Sequence, residues 1–375
     1  MATLAEQLDA LPPDITALLA RHSFDRARFL AQSERVRAGT TSDNRVSGRV
    51  TPPEPGDVSD LPPEGSAEHA RLSELGLDVL ARGECALVVL AGGMATRMGG
   101  VVKALVEAVP GHTFLDLRLA EIDHMAKTTG HAPPFWLMTS HATDLGIREA
   151  LGSRLDGDAV AVFSQHLSLR ITPSGDLYLD DDGRPSEHAP GHGDLPDALR
   201  ASGLLERFVE RGGKTVMVAN LDNLGAALDP VVLGWHLSHG RPVSCEVVDK
   251  LGSDRGGIPV RWNGRPVVLE EFRLPEGFDP TSVRVFNTNT FHFDARALLG
   301  LDMDWTFFVV EMKADGKPVV QFERLIGEVT SHLDTRFVRL PRDGADSRFL
   351  PVKDNDELAR RRSEIELVAR KRGML

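Results

Sequence analysis

Gly92 and Gly93 stand directly after the apolar run Ala86-Leu87-Val88-Val89-Leu90. Paired glycines there let backbone amides approach a ligand closely. Arg97 follows with a fork of donors suited to phosphate oxygens, and Lys103 adds a point cation. The segment from Leu90 to Lys103 could cradle a phosphate chain in an anion nest. An ordinary Gly-rich turn between strand and helix is the alternative. A Walker loop is excluded, because Gly93 and Gly99 are wrongly spaced before Lys103. The dinucleotide fingerprint is absent too, since no G-x-G opens the segment.

Further groups follow in chain order. Gln165 comes after the apolar run 159–163. In Pro190-Gly191-His192-Gly193-Asp194, flanking glycines hold an imidazole on a tight turn. Asn220-Leu221-Asp222-Asn223-Leu224-Gly225 closes the apolar run 215–219. Strand carboxyl ends are where open α/β sheets place ligands. Glu270, Phe286-Asn287-Thr288-Asn289-Thr290 and Arg348-Phe349-Leu350-Pro351-Val352-Lys353 complete the set. Taken singly, each has a plainer reading as a surface side chain, a turn cap or a solvated lysine.

These groups need elements to position them. Residues 86–90 read as a strand buried on both faces. Further strands are expected at 135–139, 159–163, 215–221, 243–248, 267–272 and 283–293. Helices are expected at 195–211 and 320–333, and after Ser66, a good N-cap. Strand–helix alternation early and paired strands later predict an α/β fold, a mixed, mainly parallel sheet with an antiparallel patch. Residues 1–65 read as short helices followed by a proline-rich linker or strap at 51–65. Residues 66–345 read as one large catalytic domain. Residues 346–375 carry Lys353 and a basic helical tail, expected to pack on the body or stay solvated.

The chain has 375 residues, with 26% charged, near the globular average of about 25%. Lys plus Arg total 43 and Asp plus Glu 55, giving a net charge of −12. A global basic field for nucleic acid is therefore absent. Cys85 and Cys245 lack the spacing of a disulfide framework or a cysteine zinc site. The N-terminus lacks the pattern of a signal peptide, and no apolar run suits a membrane helix. A soluble, cytoplasmic protein is expected.

In combination, LAGG with TRMGG and a lysine, SQH, PGHGD, NLDNLG, FNTNT and RFLPVK resemble the UTP–glucose-1-phosphate uridylyltransferase family. The resemblance spans about Leu72 to Asp356. It implies a Rossmann-like nucleotidyltransferase fold, similar to that of glycosyltransferase-A enzymes. It also implies uridylyl transfer from UTP to a sugar-1-phosphate, most simply glucose-1-phosphate, with Mg²⁺ as cofactor. By resemblance, Ala91, Gly92, Gly93, Gln165 and Gly191 bind the nucleotide. Gln165 suits the uracil edge, since an amide both donates and accepts. Arg97, Lys103, His192 and Lys353 are the implied catalytic groups around the phosphates. Asp222 is implied as the metal ligand. Asn220, Glu270, Asn287 and Asn289 are implied as sugar contacts. Gln321-Phe322-Glu323 falls where the family has a packing helix.

The sequence also departs from the family. Ala95 stands where the family has glycine, and the stretch before Lys103 is short. Family members with a C-terminal β-helix use it for assembly, and a short form without one is expected here. The resemblance therefore carries no oligomeric state. A broad UDP-sugar or UDP-N-acetylhexosamine pyrophosphorylase is the nearest alternative. A glycosyltransferase would need a metal-binding acidic motif, for which Asp180-Asp181-Asp182 is the candidate. A non-catalytic nucleotide-sugar sensor would not need both Lys103 and Lys353.

Overall fold

Apolar runs rich in β-branched residues form one eight-stranded sheet in the computed structural model, which describes residues 3–39, 44–95, 99–252 and 254–375. Its strands are β1 (Val58–Asp60), β2 (Cys85–Leu90), β3 (Phe135–Thr139), β4 (Val160–Ser164), β5 (Thr215–Asn220), β6 (Val243–Asp249), β7 (Val285–Asp294) and β8 (Thr335–Arg339). Their order is β1-β8-β6-β7-β5-β2-β3-β4. β7 runs against both neighbours, and every other pairing is parallel. The sheet is mixed and mainly parallel, as the strand–helix alternation predicts.

The helices used below are α1 (Leu4–Asp9), α2 (Pro13–Arg21), α3 (Arg26–Arg37), α4 (Ala67–Ala81), α5 (Phe114–Thr129), α6 (Leu195–Ala201), α7 (Leu204–Glu210) and α8 (Asn355–Lys371). Residues alternate between two apolar layers along the central strands, the period-2 pattern of a sheet covered on both faces. Ala86 and Val88 join the layer closed by α6 and α7. Leu87 and Val89 join the layer closed by α4, α5 and α8.

The N-terminal helices are tied to the part of the body that carries Gln165. Leu4, Leu8, Ile15, Leu19 and Phe29 pack against Leu169, Ile171, Val320 and Phe322. His22 Nδ1 lies 2.9 Å from Ser164 Oγ, and the His22 carbonyl accepts from Leu167 N–H at 3.0 Å. The chain ahead of Gln165 and the chain after it are thus both braced from α2. The proline-rich stretch supplies β1 at the sheet edge, and Val50–Thr51 pairs with Gly257–Trp262.

Two local expectations need correction. Residues 195–211 form α6 and α7, separated at Gly203, whose φ of +72° is left-handed. Residues 320–333 are not one helix: strand Lys317–Glu323 leads into a 3₁₀ turn at Ile326–Ser331. Gln321 and Glu323 therefore lie on a strand, paired with Phe308–Ala314. The basic tail takes the first of the two outcomes expected for it and packs on the body. α8 buries Leu358, Ile365, Val368 and Ala369 against the body.

Candidate functional site

β2, β4 and β5 are parallel in one sheet, so their carboxyl ends open on one edge. The segments beginning Ala91, Gln165 and Leu221 leave from there. β7 is antiparallel and brings its early residues, Asn287 and Asn289, to the same edge. This geometry gathers groups that are far apart in sequence.

The glycine segment is anchored through its carbonyls. Thr143 Oγ1 donates to the Ala91 carbonyl at 3.0 Å, and Ser140 Oγ donates to that of Gly92 at 2.9 Å. A side chain at Gly92 would bring its Cβ within 2.6 Å of Gln165 Nε2. Glycine is what allows the loop and the glutamine to sit together. Gly93 is exposed, with open space where a Cβ would be. Met94–Ala95 then pairs with Val101–Val102 in a short hairpin that delivers Lys103. Arg97 lies outside the described residues.

Lys103 Nζ meets Asp222 Oδ2 at 2.7 Å, with both side chains partly exposed. Asp222 Oδ2 also accepts from Val352 N–H at 3.3 Å. The neighbouring Asn223 works as a clamp. Its Nδ2 donates to the Arg348 carbonyl at 3.0 Å, and its Oδ1 accepts from Leu350 N–H at 2.7 Å. The segment carrying Lys353 is therefore fastened to the loop carrying Asp222. Arg348 anchors the segment's other end, with its buried guanidinium on Glu246 and on the Ala227 carbonyl at 2.8 Å. Burial disfavours an ionised Glu246, but Arg348 and His292 beside it outweigh that and hold its carboxyl well below the usual range. Lys353 itself is exposed.

Arg118 of α5 supports the same loop and was not expected from the motifs. It is fully buried and donates to the carbonyls of Asn220 (3.0 Å), Asn223 (2.7 Å) and Ala226 (2.9 Å). Glu121 pairs with it at 2.8 Å and accepts from Leu228 N–H at 2.7 Å. One buried ion pair thus fixes the backbone on both sides of Asp222.

The Gly191–Asp194 turn packs against Arg324. A Cβ at Gly191, whose φ is +98°, would stand 2.7 Å from the Arg324 carbonyl. Only glycine tolerates both that angle and that approach. The buried Arg324 pairs with Asp194 and donates to His166 Nδ1 at 2.9 Å. It thereby couples the PGHGD turn to the residue after Gln165. His192 Nδ1 accepts from Ile326 N–H at 3.1 Å, so the neutral ring carries its proton on Nε2. Burial lowers the His192 pKa to about 4. At neutral pH His192 is therefore an uncharged ring with Nε2–H as its donor.

Asn220, Asn287 and Asn289 do converge. Asn289 Nδ2 donates to Asn220 Oδ1 at 3.0 Å, and Asn289 N–H donates to Asn287 Oδ1 at 2.8 Å. Asn289 sits at φ +59° beside a register shift between β6 and β7. Left-handed backbone inside a strand is uncommon outside glycine, and such strain gathers at working sites. Glu270 comes from a separate three-stranded sheet. Among the described residues, no hydrogen bond joins it to the asparagines.

Burial, then the charges of Glu328 and Glu271, push the Glu270 pKa up to about 7. Between its ordinary value and about 7, the folded chain holds a proton that the unfolded chain has released. Stability therefore falls as pH rises through that window. Glu270→Gln should raise the melting temperature at pH 8, with the gain vanishing by pH 4. An equal gain at both pH values in a thermal melt would contradict this.

Asp180-Asp181-Asp182 is a surface turn. Asp180 Oδ1 accepts from Asp182 and Arg184 N–H, and Asp181 pairs with Lys317. The Asp180 carboxylate is thus used within the turn and that of Asp181 in an ion pair. Among the described residues, no helix is long and apolar enough to cross a membrane.

Solved structures similar to this one include sugar-nucleotide pyrophosphorylases. The UDP-N-acetylglucosamine pyrophosphorylase of Trypanosoma brucei superposes with a TM-score of 0.76 at 18% identity, covering 96% of this chain and 79% of that one. A mutant UDP-glucose pyrophosphorylase of Leishmania major gives 0.72 at 22% identity, covering 93% and 79%. These likenesses define a nucleotidyltransferase fold. Sequence narrows the class: residues 41–372 match the model of the UTP–glucose-1-phosphate uridylyltransferase family, and the chain belongs to that family. The family's enzyme from Astragalus penduliflorus is 27% identical over 98% of this chain and 79% of its own length. The one from Hordeum vulgare is 29% identical over 94% and 76%.

Proposed function

We propose that this enzyme transfers a uridylyl group from UTP to glucose-1-phosphate, giving UDP-glucose and pyrophosphate. The observation that carries this reading is the fastening of the Lys353 segment to the Asp222 loop, beside the glycine loop and Gln165. A phosphate oxygen of the sugar phosphate attacks the α-phosphorus of UTP in line. The bond to the bridging oxygen breaks, and pyrophosphate leaves with the electron pair. The nucleophile is already an anion, so the chain needs to supply alignment and charge rather than a general base.

In this reading Gly92, Gly93 and Arg97 hold the triphosphate, with Ala91 and Gly191 lining the nucleotide. Lys103 must leave Asp222 to meet the departing pyrophosphate. Lys353 neutralises the reacting phosphates, while His192 donates from Nε2. Asn220, Asn287, Asn289 and Glu270 take the sugar hydroxyls.

Mg²⁺ at Asp222 fits the donor chemistry. A single partly exposed carboxylate, completed by phosphate and water oxygens, is a set that this hard cation favours. When bound, it would offset phosphate charge. Cys85 and Cys245 are free and buried, which supports a reducing, cytoplasmic setting.

Gln165→Ala should reduce the preference for UTP over the other nucleoside triphosphates. Unchanged kcat/KM ratios would remove Gln165 from the uracil site. Sugar choice is tested by pyrophosphate release over a panel of sugar-1-phosphates. Release with glucose-1-phosphate alone supports the reading. Comparable release with N-acetylglucosamine-1-phosphate or several sugars makes the enzyme a broader pyrophosphorylase.

A further inference from the structure

We propose that the pocket between α3 and the segment 303–307 is an accessory binding site for a small phosphate monoester, distinct from the strand-edge site. The pocket is about 440 Å³, within the range of small-ligand cavities. Arg28, Gln32 and Arg35 line it from α3, and their spacing of four and three residues puts them on one helix face. Arg45, paired with Glu276, and Arg273, paired with Glu328, line it as well. Asp304 is the one carboxylate among the described lining residues. Guanidinium groups are planar forks that match phosphate oxygens bidentately.

A second observation points to a ligand. Gln32 is 6% exposed, and among the described residues its buried Nε2 has no hydrogen-bond partner. Buried donors in folded proteins are almost always satisfied. An acceptor brought by a ligand would satisfy it, and a phosphate or sugar oxygen is such an acceptor. Trp305 and Phe307 also line it, offering aromatic surface to a sugar ring or base. The chain's net charge of −12 disfavours an extended polyanion.

The pocket is continuous with the nucleotide side. Arg28, Gln32 and Phe307 also line a smaller cavity that ends on His166, Asp194 and Arg324. A ligand there would lie next to the side chains that couple the PGHGD turn to Gln165.

The test is calorimetric titration of the full chain with inorganic phosphate, glucose 6-phosphate and AMP. The comparison protein is the Arg28→Ala/Arg35→Ala variant, whose two positions are exposed on α3, with an unchanged melting temperature as the check on folding. Any binding at the strand-edge site is common to both proteins and cancels. The expected result is at least ten-fold weaker binding of a monoester by the variant. The monoester that loses more identifies the source as sugar phosphate or nucleotide. Gln32→Leu should weaken the same ligand. Equal affinities in both proteins, or no binding to the unmodified chain at millimolar concentration, would overturn the proposal. A loss confined to inorganic phosphate would overturn its assignment to a monoester.

Discussion

Asp222→Asn is expected to lower Mg²⁺-dependent uridylyl transfer by about 100-fold or more, the scale seen when a group stabilising transition-state charge is removed. Asp222 lies where four parts of the chain meet. β5 delivers it, Arg118 fixes the carbonyls on both sides of it, and Val352 N–H and Lys103 contact its Oδ2. Asparagine keeps the shape and can still accept from Val352 N–H. It loses the charge that attracts a cation. The fold should survive, because Arg118 and Asn223 hold this loop independently of the Asp222 charge. Initial rates across a Mg²⁺ titration check this. A variant with unaltered rate and Mg²⁺ dependence would remove Asp222 from the metal site.

Lys353→Ala should lower kcat by a similar factor, about 100-fold, with little change in melting temperature. Its side chain is exposed, and exposed substitutions rarely shift stability by more than about 0.5 kcal/mol. The segment would stay in place, because Arg348 and Asn223 hold it rather than the lysine. Steady-state rates together with a thermal melt separate the two effects. Turnover within a few-fold of the parent would exclude a catalytic Lys353. A large drop in melting temperature would show that the side chain is structural.

Much of this arrangement was legible in the chain. Buried strands announced themselves as apolar runs, and the groups placed at their carboxyl ends are at one edge of the sheet. What was missed has identifiable physical causes. Residues 320–333 carry apolar spacing compatible with a helix, but the residues before them settle the matter. Asp315 and Gly316 both take positive φ, the hairpin turn that Asp-Gly favours, and they fold Lys317–Glu323 onto Phe308–Ala314. Asn263-Gly264 does the same between Gly257–Trp262 and Arg265–Glu270. Both dipeptides were readable local signals.

Arg118 was readable in a different way. It falls between Leu115 and Ile122, on the stripe that otherwise holds the apolar face of α5. An arginine there must find buried acceptors, and the carbonyls around Asp222 provide them. The protonation of His192 and the raised pKa of Glu270 were not legible, because each depends on burial by elements distant in sequence. Charge was likewise a matter of place. The net −12 says nothing about a site where Lys103 already answers Asp222 and Lys353 stands exposed beside them.

The central claim is transfer of a uridylyl group to a sugar phosphate. Its most direct measurement is the initial rate of pyrophosphate release from UTP, glucose-1-phosphate and Mg²⁺, with each component omitted in turn and UDP-glucose quantified alongside. The account predicts release only when all three are present, with one UDP-glucose formed per pyrophosphate. Release from UTP without the sugar phosphate, or no release with the complete mixture, would contradict it.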